Sequence, residues 1–119
     1  MEKSYFIEVI DGITTTTFFK KADILELKAA MDEALETGEC RLRLWELKEG
    51  ITLSEKAMKT IAEYGKKILP TPSKGAIVAS DDSSYETMKN VDAYRRQEQH
   101  ETRVFRSKED AIRWLKEDE

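Results

Sequence analysis

The stretch from Cys40 to Lys56, CRLRLWELKEGITLSEK, constrains the fold of this 119-residue chain more than any other. Residues 40–45 alternate with a period of two, which predicts a β-strand that is buried on one face. Leu42 and Leu44 lie on that face. The side chains on the opposite face are Arg41, Arg43 and Trp45. We therefore expect a strand with one apolar face and one basic, aromatic face.

A helix follows this strand after a loop that contains Gly50. The sequence Thr52-Leu-Ser-Glu55 has the S/T-x-x-E spacing of a capping box, in which two side chains bind free backbone N–H groups at a helix start. Apolar residues at helical spacing predict a helix from Leu53 to about Ile68. A strand that leads into a helix in this way is half of a βαβ unit, which indicates an α/β domain.

Two β-rich runs precede this unit. Ser4–Ile10 and Ile13–Lys20 flank the dipeptide Asp11-Gly12. Asp-Gly between such runs favours a two-residue type I′ turn, because that turn needs a positive φ at both central residues. The chain is therefore predicted to begin with an antiparallel hairpin.

Two more strands and three more helices complete the predicted order β-β-α-β-α-β-α-β-α. The strands are Ala76–Ala79 and Glu101–Arg106, and the helices begin at Asp23, near Ser83 and after Ser107. The later strands should be parallel, since helices connect them. Arginines on the central and last strands indicate that the four helices lie mainly on one face of a five-stranded mixed sheet. Residues 1–119 form a single domain of this kind.

The composition narrows the classes of function. A net charge of −4 disfavours binding to nucleic acid or to an anionic membrane, since both need a basic surface. No apolar run approaches the roughly 20 residues of a membrane-spanning helix. Cys40 is the only cysteine, so no intramolecular disulfide can form, and we interpret it as a small buried side chain. We expect a cytoplasmic bacterial protein that neither binds nucleic acid nor inserts into a membrane.

The end of the chain resembles a known family. Residues Val104 to Leu115, VFRSKEDAIRWL, are similar to the closing segment of the SpoIIAA-like proteins, a STAS/Sec14-related bacterial family. The order of elements along the whole chain resembles the fold of that family. The resemblance implies a non-catalytic regulatory domain that binds a protein kinase or an anti-sigma factor and is controlled by phosphorylation.

The resemblance also implies a phospho-acceptor at the start of the helix after the central strand. Ser54 is the nearest candidate and Thr52 the next, although the family's Asp before the acceptor and Gly after it are absent here. A phosphate at this place would meet the positive end of a helix. The alternative is structural: Thr52 is the N-cap of the helix, and Ser54 is an exposed residue of its first turn.

A second candidate site is the basic, aromatic face of the central strand. If Arg41, Arg43 and Trp45 point to the less covered side of the sheet, they form an amphipathic surface of the kind that marks a protein interface. The alternative is that the hairpin or a terminus of the chain folds over Trp45.

A third candidate is a pocket at the carboxyl ends of the strands, where open α/β sheets bind ligands. Its rim would comprise Glu49, Asp81, Asp82 and Ser83. Turn formation and helix capping explain these side chains without a ligand. No histidine or second cysteine is placed to complete a metal site, and there is no glycine-rich phosphate loop. We therefore expect neither a metal nor a cofactor.

Three functions follow, in order of preference. The first is a non-enzymatic regulatory or protein-interaction module, whose partner is another protein or a second copy in a homodimer. The second is a small-ligand-binding protein, for which an apolar ligand would need a cavity between the helices and the sheet. The third is a phosphorylation-controlled antagonist of an anti-sigma factor, as the resemblance implies. An enzyme ranks last, because no pair of nucleophile and base stands out.

Overall fold

Five strands and three helices make up the described part of the chain. The computed structural model describes residues 4–38, 40–48, 50–51, 54–68, 73–79, 82, 85–86 and 100–117. The strands are β1 (Tyr5–Ile10), β2 (Ile13–Phe18), β3 (Leu42–Leu47), β4 (Ser73–Ala79) and β5 (His100–Phe105). The helices are α1 (Ile24–Thr37), α2 (Glu55–Ile68) and α3 (Lys108–Leu115).

The strands form one mixed sheet in the order β1-β2-β3-β4-β5. β1 and β2 are antiparallel, and the other neighbours are parallel. Asp11 and Gly12 connect β1 to β2 with φ angles of 51° and 79°, the positive values that a type I′ turn needs. The α/β class, the opening hairpin and the parallel later strands are therefore confirmed.

Helices pack on both faces of the sheet. α1 and α2 cover the face that carries Phe18, Trp45 and Ile77, which we name the α1/α2 face. α3 packs on the face that carries Leu44, which we name the α3 face. Two of the three described helices thus share one face. The predicted helix from Tyr85 to Tyr94 lies largely outside the described residues.

Several predicted boundaries differ from the structure by one to three residues, and the starts of β4 and α2 illustrate why. β4 begins at Ser73 instead of Ala76, because backbone pairing with β3 and β5 extends the strand beyond its apolar run. α2 begins at Glu55 instead of Leu53. In both cases the apolar pattern shows which residues are buried, whereas backbone hydrogen bonds decide where the element begins.

β2 is buried on both faces although Thr14 to Thr17 make up most of it. Each of these four threonines is at most 3% exposed. The Thr15 hydroxyl donates a hydrogen bond to the carbonyl of Ile13 over 3.4 Å. Threonine has the stiff, branched shape that suits a strand, and a local acceptor of this kind allows its hydroxyl to be buried.

Two tyrosine hydroxyls connect α1 to its neighbours. Tyr5 of β1 donates to Glu33 over 2.7 Å, and Tyr64 of α2 donates to Asp32 over 2.5 Å. Burial, together with the Glu33 carboxylate, raises the pKa of Tyr5 to about 12. The folded protein therefore holds this proton at pH values at which the unfolded chain would release it.

Phe18→Ala should lower the free energy of unfolding by about 3–5 kcal/mol, because it leaves a cavity in the core. The Phe18 ring is fully buried, and its centroid lies 5.9 Å from that of Tyr5 and 5.0 Å from that of Trp45. Urea denaturation measures the change. Phe19→Ala is the matched control, since the neighbouring ring is 42% exposed, and it should cost only about 0.5 kcal/mol. Equal losses in the two variants would contradict this core.

Tyr5→Phe should reduce the dependence of stability on pH in the alkaline range. The pKa of Tyr5 is about 12 in the folded protein against an ordinary value of 10.0. A pKa raised by folding contributes stability that is fully present below pH 10 and is lost as the pH rises towards 12. The difference in unfolding free energy between wild type and Tyr5→Phe should therefore shrink over this range. A difference that stays constant from pH 9 to pH 12 would show that Tyr5 is not the group responsible.

Candidate functional site

Arg43 and Trp45 lie on the α1/α2 face, so the expectation that they point to the less covered side of the sheet is wrong. The Trp45 ring meets the Phe18 ring edge to face, with 5.0 Å between centroids, and packs against the core that α1 and α2 share. The alternation of the central strand correctly separates these residues from Leu44. It does not show that the middle of the sheet is packed on both faces.

Arg41 differs from Arg43 and Trp45 in its exposure. It precedes β3 and is exposed, and its carbonyl accepts a hydrogen bond from the N–H of Lys74 over 2.8 Å. Arg43 and Trp45 are only partly exposed. The role of these three residues at an interface stays a prediction, but its structural premise no longer holds for Arg43 and Trp45.

Ser54 is the N-cap of α2. Its hydroxyl oxygen accepts a hydrogen bond from the N–H of Ala57 over 3.1 Å, and its side chain is exposed. The interpretation of Ser54 as a first-turn residue is therefore wrong by two positions, because the helix begins at Glu55 and not at Leu53. Thr52 lies outside the described residues. Phosphorylation of Ser54 stays a prediction.

The predicted pocket at the carboxyl ends of the strands falls mostly outside the described residues, which exclude Glu49, Asp81 and Ser83. Asp82 is described: it is exposed and forms an ion pair with Arg106. The Arg106 guanidinium also lies over the Tyr85 ring, 4.8 Å from its centroid. Within the described ranges, no three His, Cys, Asp or Glu side chains come together as a metal site would require.

The structure contains a cavity of about 40 Å³ between the sheet and the helices on the α1/α2 face. One row of cross-strand neighbours runs beneath it, from Thr14 through Arg43 and Gly75 to Thr102. The polar side chains in its lining are Thr14, Thr16, Cys40, Arg43 and Thr102, and the larger apolar ones are Met31, Trp45, Ile61 and Ile77. The cavity is thus close to the amino ends of the parallel strands, and the sequence does not predict it.

Gly75 makes room for the guanidinium of Arg43. A methyl group at Gly75 would lie 3.0 Å from Nη2 of Arg43, closer than a carbon and a nitrogen can normally approach. The side chain of Arg43 therefore extends over β4, in the direction of β5. Its Nη1 donates a hydrogen bond to the carbonyl of Cys40 over 2.9 Å. The sequence does not indicate this close approach, because the predicted strand begins at Ala76 and leaves Gly75 outside it, whereas β4 begins at Ser73.

Cys40 closes the cavity next to Arg43. It is buried and adopts a left-handed backbone conformation, with a φ of 59°. Burial raises the pKa of its thiol, and a hydrogen bond with Thr14 and the charge of Arg43 partly oppose that rise. The thiol therefore favours its neutral form, which fits the interpretation of Cys40 as a small buried side chain.

Among the residues that the structure describes, two buried hydroxyls on the α1/α2 face lack a hydrogen-bond partner. These are the Oγ of Ser73 on β4 and the Oγ1 of Thr102 on β5. Buried hydroxyls are nearly always hydrogen-bonded, and one without a partner often marks the place of a water, an ion or a ligand. Thr102 also lines the cavity. Its hydroxyl is therefore a polar group of the lining whose hydrogen bond is not satisfied by the described residues.

Three of the five large apolar side chains that are exposed among the described residues lie on β1, and the most exposed of the five is Leu25 of α1. Phe6, Val9, Ile10 and Phe19 are each 42–48% exposed, and they lie on β1 or directly after β2. The rings of Phe6 and Phe19 stack, with 6.1 Å between centroids. Phe6 and Ile10 are on the α3 face and Val9 is on the other face, because strand residues alternate. The sequence already shows this feature, because β1 has Phe6 and Ile10 on one face and Val9 on the other and is therefore apolar on both faces.

Comparisons with known proteins provide no relative from which a role for these residues can be taken. No family model, no curated protein sequence and no solved structure matches the chain. No described helix has both the length and the apolar character needed to cross a membrane. The function must therefore be argued from the sites themselves.

Ser54→Ala should lower the free energy of unfolding by about 1 kcal/mol, because it removes the N-cap of α2. Ser54→Asp should retain most of the stability, since a carboxylate also caps a helix and interacts favourably with its positive end. Denaturation in urea is a sufficient measurement. Thr60→Ala is the control in the same helix: its exposed hydroxyl donates to the carbonyl of Lys56, and its loss should be nearly neutral. An Asp variant as unstable as the Ala variant would exclude a capping role.

Proposed function

We propose that this chain is a non-enzymatic protein-interaction module that binds an extended segment of a partner protein along β1. The observation that supports this proposal is the position of an apolar strand at the edge of the sheet. An edge strand directs backbone N–H and C=O groups away from its single neighbour, and an added strand can pair with them.

The distribution of apolar side chains favours an extended segment over a folded surface as the partner. Phe6 and Ile10 are exposed on one face of β1, and Val9 is exposed on the other. A folded surface docked on the α3 face would cover Phe6 and Ile10 and leave Val9 in water. A strand added beside β1 has side chains on both faces, so it covers all three residues at once.

Glu8 adds a charge requirement to this surface. It is exposed, and it lies between Phe6 and Ile10 on the α3 face of β1. A segment with a lysine or arginine between two apolar residues of the same face complements this pattern, because opposite charges across neighbouring strands are favourable. The partner is therefore an extended, basic and apolar segment.

A second copy of the chain fits this surface less well. If two copies paired through β1, their Glu8 side chains would come together in the middle of the joint strand pair. Like charges in neighbouring strands are unfavourable, and charged residues on an edge strand commonly prevent self-association. Homodimer formation is thus one outcome of the test and not the expected one.

A peptide with matched and mismatched charge tests the proposal. The probe is the peptide Thr-Val-Thr-Lys-Thr-Val-Thr with blocked ends. In a strand, this peptide has valine, lysine and valine on one face. The control peptide has glutamate in place of the lysine. The lysine peptide should shift the backbone NMR signals of β1 and bind about fivefold more tightly than the glutamate peptide, since a cross-strand charge pair is worth roughly 1 kcal/mol.

Charge reversal provides the control. Glu8→Lys should invert the preference between the two peptides, whereas Glu109→Lys, at another exposed position, makes the same change in net charge and should not. Inversion in both variants would mean that only the overall charge matters. Absence of signal shifts along β1, or a stable dimer without peptide by sedimentation, would contradict the proposed partner.

The phosphorylation-controlled role has no further support among the described residues. Ser54 is exposed and at a helix start, which a structural cap explains. The SpoIIAA-like assignment and the anti-sigma-factor role that it implies therefore stay predictions from resemblance.

A further inference from the structure

We propose that the cavity on the α1/α2 face binds a short-chain monocarboxylate such as acetate or propionate. In this arrangement the carboxylate contacts the guanidinium of Arg43 and the hydroxyl of Thr102, and the alkyl group contacts the apolar lining. The site is distinct from β1, and it depends on neither the peptide-binding surface nor its partner.

The positions of Arg43 and Thr102 define the carboxylate end of the site. Arg43 is on β3 and Thr102 is on β5, on either side of Gly75 in the same cross-strand row. Because Gly75 has no side chain, the guanidinium lies over the backbone of β4, the strand between Arg43 and Thr102. A guanidinium presents N–H donors in a planar fork, which matches the two oxygens of a carboxylate.

Thr102 provides the observation that points to a ligand. Thr102 is one of the residues that line the cavity, and its Oγ1 is buried without a hydrogen-bond partner among the described residues. A carboxylate oxygen in the cavity would accept the hydrogen bond that this hydroxyl lacks. The same carboxylate would lie beside the positively charged guanidinium of Arg43, and both contacts favour an anion over a neutral molecule.

The size and apolar part of the lining limit the rest of the ligand. A single water molecule needs about 10–15 Å³ of cavity volume. A cavity of about 40 Å³ therefore accommodates roughly three water-sized groups. That is the size of acetate, with propionate near the upper limit. Met31, Ile61 and Ile77 provide apolar contacts for a methyl or ethyl group.

Titration with sodium acetate at constant ionic strength, with sodium chloride as the replaced salt, tests the proposal. Acetate should produce saturable shifts of the backbone NMR signals of Thr14, Gly75 and Thr102 and should raise the temperature of unfolding. Acetamide, a neutral molecule of the same shape, should produce neither effect. The proposal would be overturned if chloride or acetamide produced the same signal shifts and the same rise in unfolding temperature as acetate. It would also be overturned if the shifts with acetate did not saturate.

Thr102→Val is the most informative variant. It keeps the shape of the side chain and removes a buried hydroxyl that lacks a partner, so the variant should be at least as stable as wild type without acetate. Its response to acetate should nevertheless weaken. Thr15→Val is the matched control: it changes a buried threonine on the α3 face, away from the cavity. Acetate binding that is unchanged by Thr102→Val would contradict the site.

Arg43→Gln should weaken acetate binding roughly 10- to 100-fold, as expected for the loss of a charged hydrogen-bonding partner. Arg41→Gln removes the same charge from an exposed position two residues earlier and should leave the affinity unchanged. If Arg43→Gln does not fold, the Thr102→Val comparison still decides the question. Equal weakening by the two arginine variants would indicate a general charge effect and would overturn the role of Arg43.

Discussion

The arrangement depends on the burial of β3 on both of its faces. Leu44 is fully buried against α3, and Trp45, next to it in sequence, packs on Phe18 beneath α1 and α2. A strand that helices cover on both faces leaves its polar side chains only partly exposed to solvent, as Arg43 and Glu46 are. Arg43 therefore extends along the sheet over Gly75, and its Nη1 binds the carbonyl of Cys40.

This constraint separates two kinds of surface within one small domain. On the α1/α2 face, the cavity lies over β2 to β5, and its lining includes Arg43 of β3 and Thr102 of β5, whose hydroxyl has no hydrogen-bond partner among the described residues. At the β1 edge, the sheet ends and leaves Phe6 and Ile10 exposed around Glu8. The first surface suits a small anion and the second suits an extended protein segment. Their separation in the sheet allows each to act independently.

Local signals in the sequence predict local structure well. Asp11-Gly12 and the cap of α1 at Asp23 depend on neighbouring residues alone, and both are confirmed. The sequence leaves open whether the face that carries Trp45 is covered, because a period of two separates two faces without showing how helices are divided between them. The cavity depends on Gly75 and Thr102, which only strand pairing brings into the same row as Arg43. No pattern in the sequence therefore predicts it.

The position of the Arg43 side chain is the most direct test of this account. NMR of the arginine Nε–H groups can locate it without any substitution, by cross-relaxation with neighbouring protons and by the rate of exchange with water. The account predicts a cross-peak between Nε–H of Arg43 and the Hα protons of Gly75, with exchange much slower than that of Arg113, whose side chain is 77% exposed. Absence of that cross-peak, together with exchange as fast as that of Arg113, would contradict it.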